Sequence, residues 1–176
     1  MTIIRVDVRA DETNALLLEL QRRTGDIRPA MEGIAQILVS NTQLRFVDQN
    51  DPAGNPWVRL SDVTLARRRK NGDGAQILRD TGRLANSINA RVEGGSVSLG
   101  TNVVYAITHQ QGAKKGQYGR SRRGGPIPWG NVPARSFLGY SDQDQADVLE
   151  LLQRYVDASQ PQSWWRRWLD RFRRLF

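Results

Sequence analysis

Apolar and polar residues alternate at the start of the chain and then recur at helical spacing. Residues 2–10, TIIRVDVRA, carry apolar side chains at period two from Ile4 to Val8, the pattern of a strand with one buried face. Leucines follow at helical spacing between Asp11, a candidate N-cap, and Gly25. The pattern predicts a first strand that leads into a first helix.

A longer amphipathic stripe predicts a second helix over about residues 27–48. Pro29 suits its first turn, because proline lacks an amide hydrogen that the first turn leaves unpaired. The residues that recur at three-to-four spacing are Met31, Ile34, Ala35, Leu38 and Thr42, with Ile37, Leu44 and Phe46 widening the stripe.

Shorter elements follow in the middle of the chain. The proline, glycine and asparagine content of residues 48–62 predicts a loop, from which Trp57 plugs the core. The polar segment 64–74 is compatible with a short helix. Residues 77–102 contain another short helix and then two alternating strands about Gly94-Gly95, which predicts a hairpin.

The last third of the chain begins with a near-helical apolar period over residues 103–112. RSFLGYS, residues 135–141, is typical of a short strand. A helix follows Ser141, a candidate cap. Its apolar residues are Val148, Leu152 and Tyr155, with Leu149 and Val156 beside them.

These elements predict an α+β fold in which helices pack on a small antiparallel sheet. The length of 176 residues fits one domain, which we place at residues 1–157. A long basic loop or hairpin arm spans residues 112–132 within it. Residues 158–176 provide a linker and a separate C-terminal amphipathic helix, which carries basic residues on one face and aromatic residues on the other.

We predict that Ser163 caps the C-terminal helix and that this helix has one continuous apolar face. We expect this face to dock in a groove of a neighbouring subunit. Folding back onto the core of its own chain and lying on a membrane are the alternatives. The apolar residues are Trp164, Trp165, Trp168, Leu169, Phe172, Leu175 and Phe176.

The net charge of +8 is concentrated in two segments. Residues 112–132 contribute +5 and contain no acidic residue, and residues 161–176 contribute +4 from five arginines and Asp170. The rest of the chain therefore carries −1. Two basic projections on a nearly neutral body indicate two segments that contact partners, whereas a general nucleic-acid-binding protein would be uniformly basic.

The arm has three interpretations. It is a solvated disordered loop, or it contacts acidic surfaces of neighbouring subunits, which we favour, or it lines a channel through which DNA passes. Contact with DNA would be non-specific and dependent on salt. Tyr118 and Trp129 can stack on bases, but we expect them to anchor the arm. Its candidate contact residues are Lys114, Lys115, Tyr118, Arg120, Arg122, Arg123 and Trp129.

The side chains that catalysis requires are scarce in this sequence. It has one histidine and no cysteine, so a Ser-His-Asp triad would have to use His109. We predict instead that this imidazole is half buried and hydrogen-bonds to the backbone at the base of the arm. Neither a nucleotide-binding loop nor a nucleophile elbow is present. We therefore predict a protein that is not an enzyme and uses no cofactor or metal.

Targeting and membrane patterns do not occur either. No apolar run approaches the ~18–20 residues of a membrane span. The first residues include acids at the positions where an export signal is apolar. We predict no membrane partner.

Other residues have fold-forming interpretations. Gly82 permits the chain to turn into a short helix near Thr81, where Leu84 packs inward. Arg135 precedes the predicted strand, and we expect it to tie the foot of the arm to a carboxylate. The full set of expected structural residues is Trp57, Gly82, Leu84, Tyr105, His109, Arg135 and Phe137.

Four stretches, in order and at plausible spacing, resemble the phage virion morphogenesis family, the tail-completion or tail-terminator proteins of Mu-like long-tailed bacteriophages. The resemblance covers residues 1–157. It departs at Ser136, where the family favours a proline, and in the tryptophan-rich tail. The stretches are FVDQNDPAGNPWVRLSDVTLARR, ILRDTGRLANSI, LGTNVVYAITHQQG and VPARSFLGYSDQDQADVLELL.

The resemblance implies a non-enzymatic structural protein that forms a ring, sixfold in such proteins, at the head-proximal end of a phage tail. The ring completes or terminates the tail and joins it to the head or neck. The implied partners are the tail tube, the sheath where there is one, and head or neck connector proteins. The implied location is the tail or neck of the virion, and the host cytoplasm during assembly.

In a ring, the arm is long enough to reach a neighbouring subunit, because a leg of about ten residues extends roughly 30 Å. Two alternatives stay open. One is a head-to-tail adaptor or capsid-assembly factor, and the other is a non-specific nucleic-acid-binding module.

Overall fold

The computed structural model describes residues 2–4, 11–70, 76–93 and 95–159. Helices and small antiparallel strands occur together, which confirms the predicted α+β class. The predicted C-terminal helix, with Ser163 and the apolar residues Trp164 to Phe176, lies outside the described residues. In chain order the elements are β1 (Thr2–Ile4), α1 (Asp11–Thr24), α2 (Arg28–Asp48), α3 (Asp62–Lys70), α4 (Arg83–Asn86), β2 (Asn89–Glu93), β3 (Ser96–Thr101), α5 (Ala106–Gln111) and α6 (Asp142–Ala158).

The strands form an antiparallel sheet in the order β1-β3-β2. Ile4 lies opposite Leu99, and Val92 lies opposite Val97. The hairpin predicted about Gly94-Gly95 is thus confirmed, and the first strand is confirmed over Thr2–Ile4. Because successive side chains of a strand point to opposite faces, Val97 and Leu99 reach the same face, where both are buried.

The α2 helix lies against β2, β3 and α6 and supplies much of the core. Its start at Arg28 and its buried stripe confirm the predicted helix. Leu44, however, is 55% exposed, so the prediction that it widens the stripe is wrong. The next residue, Arg45, is buried instead, because its side chain forms an ion pair with Asp144. The buried residues of α2 are Ala30, Met31, Ile34, Ala35, Leu38, Thr42, Arg45 and Phe46.

Close contact between α2 and α6 depends on a glycine. A Cβ atom on Gly33 would lie 2.9 Å from Cδ2 of Leu151, so a larger residue would force that side chain to shift. Val148, Leu152 and Val156 recur every fourth residue on the inward face of α6. Burial of each such side chain contributes about 1.5–3 kcal/mol, so this face is a main source of stability.

Residues 135–141 are not a strand, so that prediction is wrong. At Phe137 and Leu138, the side chain of Gln110 supplies hydrogen bonds to the backbone in place of a neighbouring strand. Its Oε1 accepts from the amides of Phe137 and Leu138, both at 3.0 Å, and its Nε2 donates to the carbonyl of Leu138 at 2.7 Å. The apolar pattern of the segment reflects its burial, since Phe137 and Leu138 are core residues.

Candidate assembly interface

The arm, residues 112–132, leaves the body through a tightly specified root. The amide of Ala113 donates to the carbonyl of Val132 at 2.9 Å, and the amide of Val132 donates back at 2.8 Å. Gly112 has φ +75°, and a Cβ atom there would lie 2.9 Å from both the Val132 oxygen and the Ala134 nitrogen. The root therefore requires glycine on grounds of both backbone conformation and space.

Beyond the root, the two legs of the arm are hydrogen-bonded to each other. The amide of Gly116 donates to the carbonyl of Pro128 at 3.0 Å, and that of Tyr118 to Ile127 at 2.8 Å. At the tip, the amide of Ser121 donates to the carbonyl of Gly125 at 2.7 Å. The arm is thus a folded loop with two paired legs. This favours a segment that makes a specific contact over a disordered loop.

Side chains of the arm brace it from within. Gln117 Oε1 accepts from the amide of Lys114, and Asn131 Oδ1 accepts from the amide of Lys115, both at 2.9 Å. The Tyr118 hydroxyl accepts a long hydrogen bond of 3.4 Å from Thr108 on α5. This bond is consistent with the predicted anchoring role of Tyr118.

The charged residues of the arm face solvent. None of the five cations forms an ion pair within the part of the chain that the structure describes. Trp129 is 80% exposed, although its indole passes close to Gly125. The prediction that Trp129 anchors the arm therefore fits only in part, since most of the ring is free to contact a partner. The exposed cations are Lys114, Lys115, Arg120, Arg122 and Arg123.

Beneath the arm, Trp57 fills the core as predicted. It is 5% exposed, and its indole Nε1 donates to the carbonyl of Ser136 at 2.9 Å. Its ring meets Phe46 edge-on with centroids 5.5 Å apart, and Phe46 in turn lies 5.2 Å from Phe137. This aromatic cluster fastens the loop after α2 to the segment that follows the arm.

Arg135 ties down the foot of the arm, but through carbonyl groups and not through the carboxylate that we expected. Its Nε donates to the carbonyl of Val58 at 2.8 Å, and its Nη2 donates to that of Arg59 at 3.2 Å. Its own amide donates to the carbonyl of His109 at 2.7 Å. Because the guanidinium satisfies two loop carbonyls, the loop after Trp57 and the foot of the arm are held together.

The imidazole of His109 is half-buried, as predicted, but the described residues show no hydrogen bond from its ring to the backbone. Its Nδ1 is buried and has no hydrogen-bond partner among the described residues. The ring stands edge-on to Tyr105 with centroids 5.8 Å apart. Burial, and then the charges of Arg135 and Arg68, lower the pKa of His109 below its usual range.

The short helices place the remaining predicted residues. Gly82 has φ 72° and caps α4, and Leu84 in that helix is 2% exposed, as both predictions require. Tyr105 precedes α5 and is 43% exposed, and its neighbour Val104 is 88% exposed. The start of α5 therefore presents an apolar surface next to the arm.

A buried ion pair between Arg45 and Asp144 was missed by sequence reasoning. Arg45 also donates to the carbonyls of Phe137 at 3.2 Å and Gly139 at 3.0 Å. Asp144 accepts from the Arg45 guanidinium, from the Ser141 amide at 2.7 Å and from Asn41 at 3.0 Å. The spacing of Ser141 and Asp144 is that of a capping box, which could have revealed the aspartate but not its partner.

Clusters of metal-ligating side chains and membrane-spanning helices are absent from the part of the chain that the structure describes. It contains no group of three or more histidine, cysteine, aspartate or glutamate side chains able to hold a metal ion. None of its helices is both long and apolar enough to cross a membrane.

Comparisons with known proteins identify one matching family and a relative from a Mu-like prophage. A model of the phage virion morphogenesis family matches residues 8–157. Over 154 residues the chain is 31% identical to the "Mu-like prophage FluMu G protein 2" of Haemophilus influenzae, an alignment that covers 87% of this chain and 96% of that protein. No solved structure matches the chain.

Proposed function

Because the chain belongs to the phage virion morphogenesis family, we propose that it completes the tail of a phage or phage-like particle. Membership of the family gives it a structural part in building the virion. In the proposal, copies of the chain form a ring, sixfold in symmetry, at the head-proximal end of the tail. The ring ends growth of the tail tube and offers a face to the head or neck.

The arm is the observation that supports this proposal most strongly. It is a folded projection whose five cations lack an ion-pair partner within the described residues, and its Trp129 is largely exposed. A hydrogen-bonded loop of this length has a defined shape to present, and ordering it costs less on contact than ordering a free loop would. Contact with a neighbouring subunit gives these exposed groups a role.

The surface at the start of α5 extends the same interface. Val104, Tyr105 and Ile107 are exposed beside the arm, on the side where Tyr118 reaches Thr108. Exposed apolar residues next to a basic projection are typical of a surface that a partner covers. We propose the tube, the sheath where there is one, and the head or neck connector as the partners of the ring.

Depletion of the protein from an infected or induced host provides the test. We expect normal heads that remain unjoined to tails, and tails of abnormal length, when particles are viewed by electron microscopy. Expression of the full chain in trans should restore joined particles. Normal particles in its absence, or a failure of head assembly instead, would contradict tail completion, and the second result would favour a capsid-assembly factor.

The same complementation assay tests the proposed docking role of the C-terminal segment. A chain that ends at residue 159 retains every core residue of the described body. We expect it to be folded and soluble but to restore fewer joined particles than the full chain. A matched control carries Arg22→Gln and Arg91→Gln, which remove exposed cations from the body and should restore particles fully.

Non-specific DNA binding is a second candidate, favoured by the exposed Trp129 beside the five cations of the arm. Stacking on bases and phosphate contacts would then make binding fall steeply with added salt. Replacing all five cations with glutamine should abolish DNA binding but leave tail completion intact if DNA is the partner. We expect instead that the wild type and the variant both bind DNA weakly and that the variant fails to complete tails.

A further inference from the structure

An open groove lies at one end of the body, where α2 ends and α6 begins. We call it the α2–α6 groove. It has a volume of about 610 Å³. The loop after α2 closes one side of it, and the first turn of α6 closes the other. Its lining includes Asn41, Leu44, Asp48, Asp51, Pro52, Tyr140 and Asp142.

The α2–α6 groove carries an excess of negative charge. Arg45 and Asp144 also line it, but they are paired with each other. Three carboxylates, those of Asp48, Asp51 and Asp142, then remain without an ion-pair partner among residues 2–4, 11–70, 76–93 and 95–159. The Asp51 carboxylate accepts from the amides of Ala53 and Asn55, at 2.9 and 2.8 Å, which fixes its position in the rim.

The groove also offers apolar surface beside these charges. Leu44 lines it and is 55% exposed, and Val47, one helical turn along, is 53% exposed. Exposed leucine and valine on an otherwise amphipathic helix are typical of a surface that is covered in an assembly. A matching partner therefore needs both cations and an apolar side chain.

The tip of the arm has both properties. Arg120, Arg122 and Arg123 surround the tip turn, and their side chains are exposed. Ile127 and Trp129, on the returning leg, are 38% and 80% exposed. No hydrogen bond or ion pair among the described residues joins the tip to the groove of its own chain.

We propose that the tip of the arm docks in the α2–α6 groove of the next copy in the ring. This assignment rests on the proposed ring. Guanidinium groups bind carboxylates through paired hydrogen bonds, so three arginines facing three aspartates give a contact that is specific in geometry as well as charge. Because arm and groove are different surfaces, the contact is head-to-tail and repeats around a closed ring.

Nucleic acid is a poor occupant of this groove, because its phosphates would be repelled by the same three carboxylates. A basic segment of another virion protein remains a competing occupant, and the test separates it from a second copy of this chain.

Cross-linking between two single-cysteine variants tests the contact directly, because the chain has no cysteine of its own. Arg122→Cys marks the tip, and Gln143→Cys marks the groove. Asp157→Cys is the matched control, since it is exposed and lies on the same helix as Gln143 but at the opposite end. The tip variant is mixed with either partner under mild oxidation, with the full chain assembled on purified tail tube.

We expect the tip-to-groove disulfide dimer to form several-fold faster than the tip-to-control dimer. That advantage should shrink in high salt, because solvent-exposed charges are screened. Equal rates for the two mixtures would overturn the assignment, as would faster reaction with Asp157→Cys. If the groove is reserved for another virion protein, the two rates are equal, so this outcome counts against the proposal as well.

Charge reversal provides the second measurement. Asp48→Arg with Asp142→Arg, and separately Arg120→Asp with Arg123→Asp, should each abolish ring formation on tail tube in sedimentation velocity. The chain that carries all four changes should recover it. Recovery absent from the fourfold variant, when circular dichroism shows every variant folded, would overturn the contact.

The outcomes also separate this assignment from the proposed function. Rings that form without a preferred tip-to-groove cross-link overturn the groove contact and leave tail completion standing. A preferred cross-link without rings supports the contact and overturns the ring. Absence of both overturns both.

Discussion

At the scale of single residues, two buried polar groups show how charge is handled inside the fold. Asp144 is 1% exposed and accepts from the Arg45 guanidinium, a backbone amide and Asn41. His109 is half-buried beside two arginines and leaves Nδ1 without a partner among the described residues. Removing the Asp144 carboxylate would leave a buried guanidinium without its counter-ion, whereas burial and the two arginines lower the pKa of His109. The first group gives an expectation for mutation, and the second gives one for pH.

Replacing Asp144 with asparagine should destabilise the protein strongly. It leaves Arg45 buried without its counter-ion, and breaking a buried pair from one side costs about 3–5 kcal/mol. Arg154→Gln is the matched control, because it breaks an exposed pair with Glu150 on the same helix, for which we expect a loss of less than about 1 kcal/mol. Urea unfolding measures both, and equal losses would contradict the central role of the pair.

His109 should make the protein less stable as pH falls. The pKa of this residue is lowered in the folded state, while in the unfolded chain it titrates near about 6.5. Below that pH the unfolded state binds more protons than the folded state, so the free energy of unfolding decreases until the folded imidazole is also protonated. Above that pH both states are neutral and the residue contributes nothing to pH dependence.

Urea unfolding of the wild type and of His109→Gln between pH 8 and pH 5 checks this expectation. The wild type should lose stability below about pH 6.5, and the variant should lose less over the same range. A steeper loss in the variant would show that the imidazole is stabilised in its charged form.

At the scale of elements, the arm and α2 show what a linear pattern can and cannot predict. The 21-residue α2 is visible in sequence because a buried helix face recurs at three-to-four spacing. Arg45 falls on that same face but looks like an interruption of it, since its partner lies 99 residues away. The side chain of Gln110 likewise bonds to the backbone of Phe137 and Leu138, which lie 27 and 28 residues further along the chain. Such long-range hydrogen bonds by side chains have no periodicity to detect.

The fold of the arm was hidden for a different reason. Its glycines and basic residues indicate a loop by composition, and its hydrogen bonds run between opposite legs. Charge and length were predictable from sequence, and a hairpin was one of the two predicted forms, whereas the positions at which the legs pair were not predictable. The root at Gly112 is the point where this pairing meets the body.

Gly112→Ala should loosen the root of the arm. The new Cβ would lie 2.9 Å from two backbone atoms, and its φ of 75° and ψ of 173° fall in a region essentially confined to glycine, which costs about 1–3 kcal/mol even without the clash. Gly119→Ala is the matched control, because it has φ +88° but open space around it. Both variants then place a side chain at positive φ, and the clash with backbone atoms is specific to the first.

Limited trypsin digestion at Arg120, Arg122 and Arg123 measures the effect. We expect faster cleavage in Gly112→Ala than in Gly119→Ala, and slower cleavage of every variant once it is assembled on tail tube. Cleavage at the same rate in free and assembled wild type would show that the arm has no partner there.

At the scale of the whole molecule, the fold separates stability from assembly. The core is built from α2, α6 and the sheet, and its buried residues lie away from the five cations of the arm. Changes to those cations should therefore alter association without unfolding the body. This separation of core and arm is consistent with a structural protein of a virion, which binds its neighbours through exposed surfaces.

Localisation of the subunit in the virion tests whether it forms a ring at the head-proximal end of the tail. A particle whose copy of the chain carries an electron-dense label is viewed by cryo-electron microscopy, with an unlabelled particle as reference. We predict ring-shaped label at the head-proximal end of the tail, with a copy number that matches the symmetry of the ring. Label in the head shell, at the distal end of the tail, or absent from finished particles would contradict it.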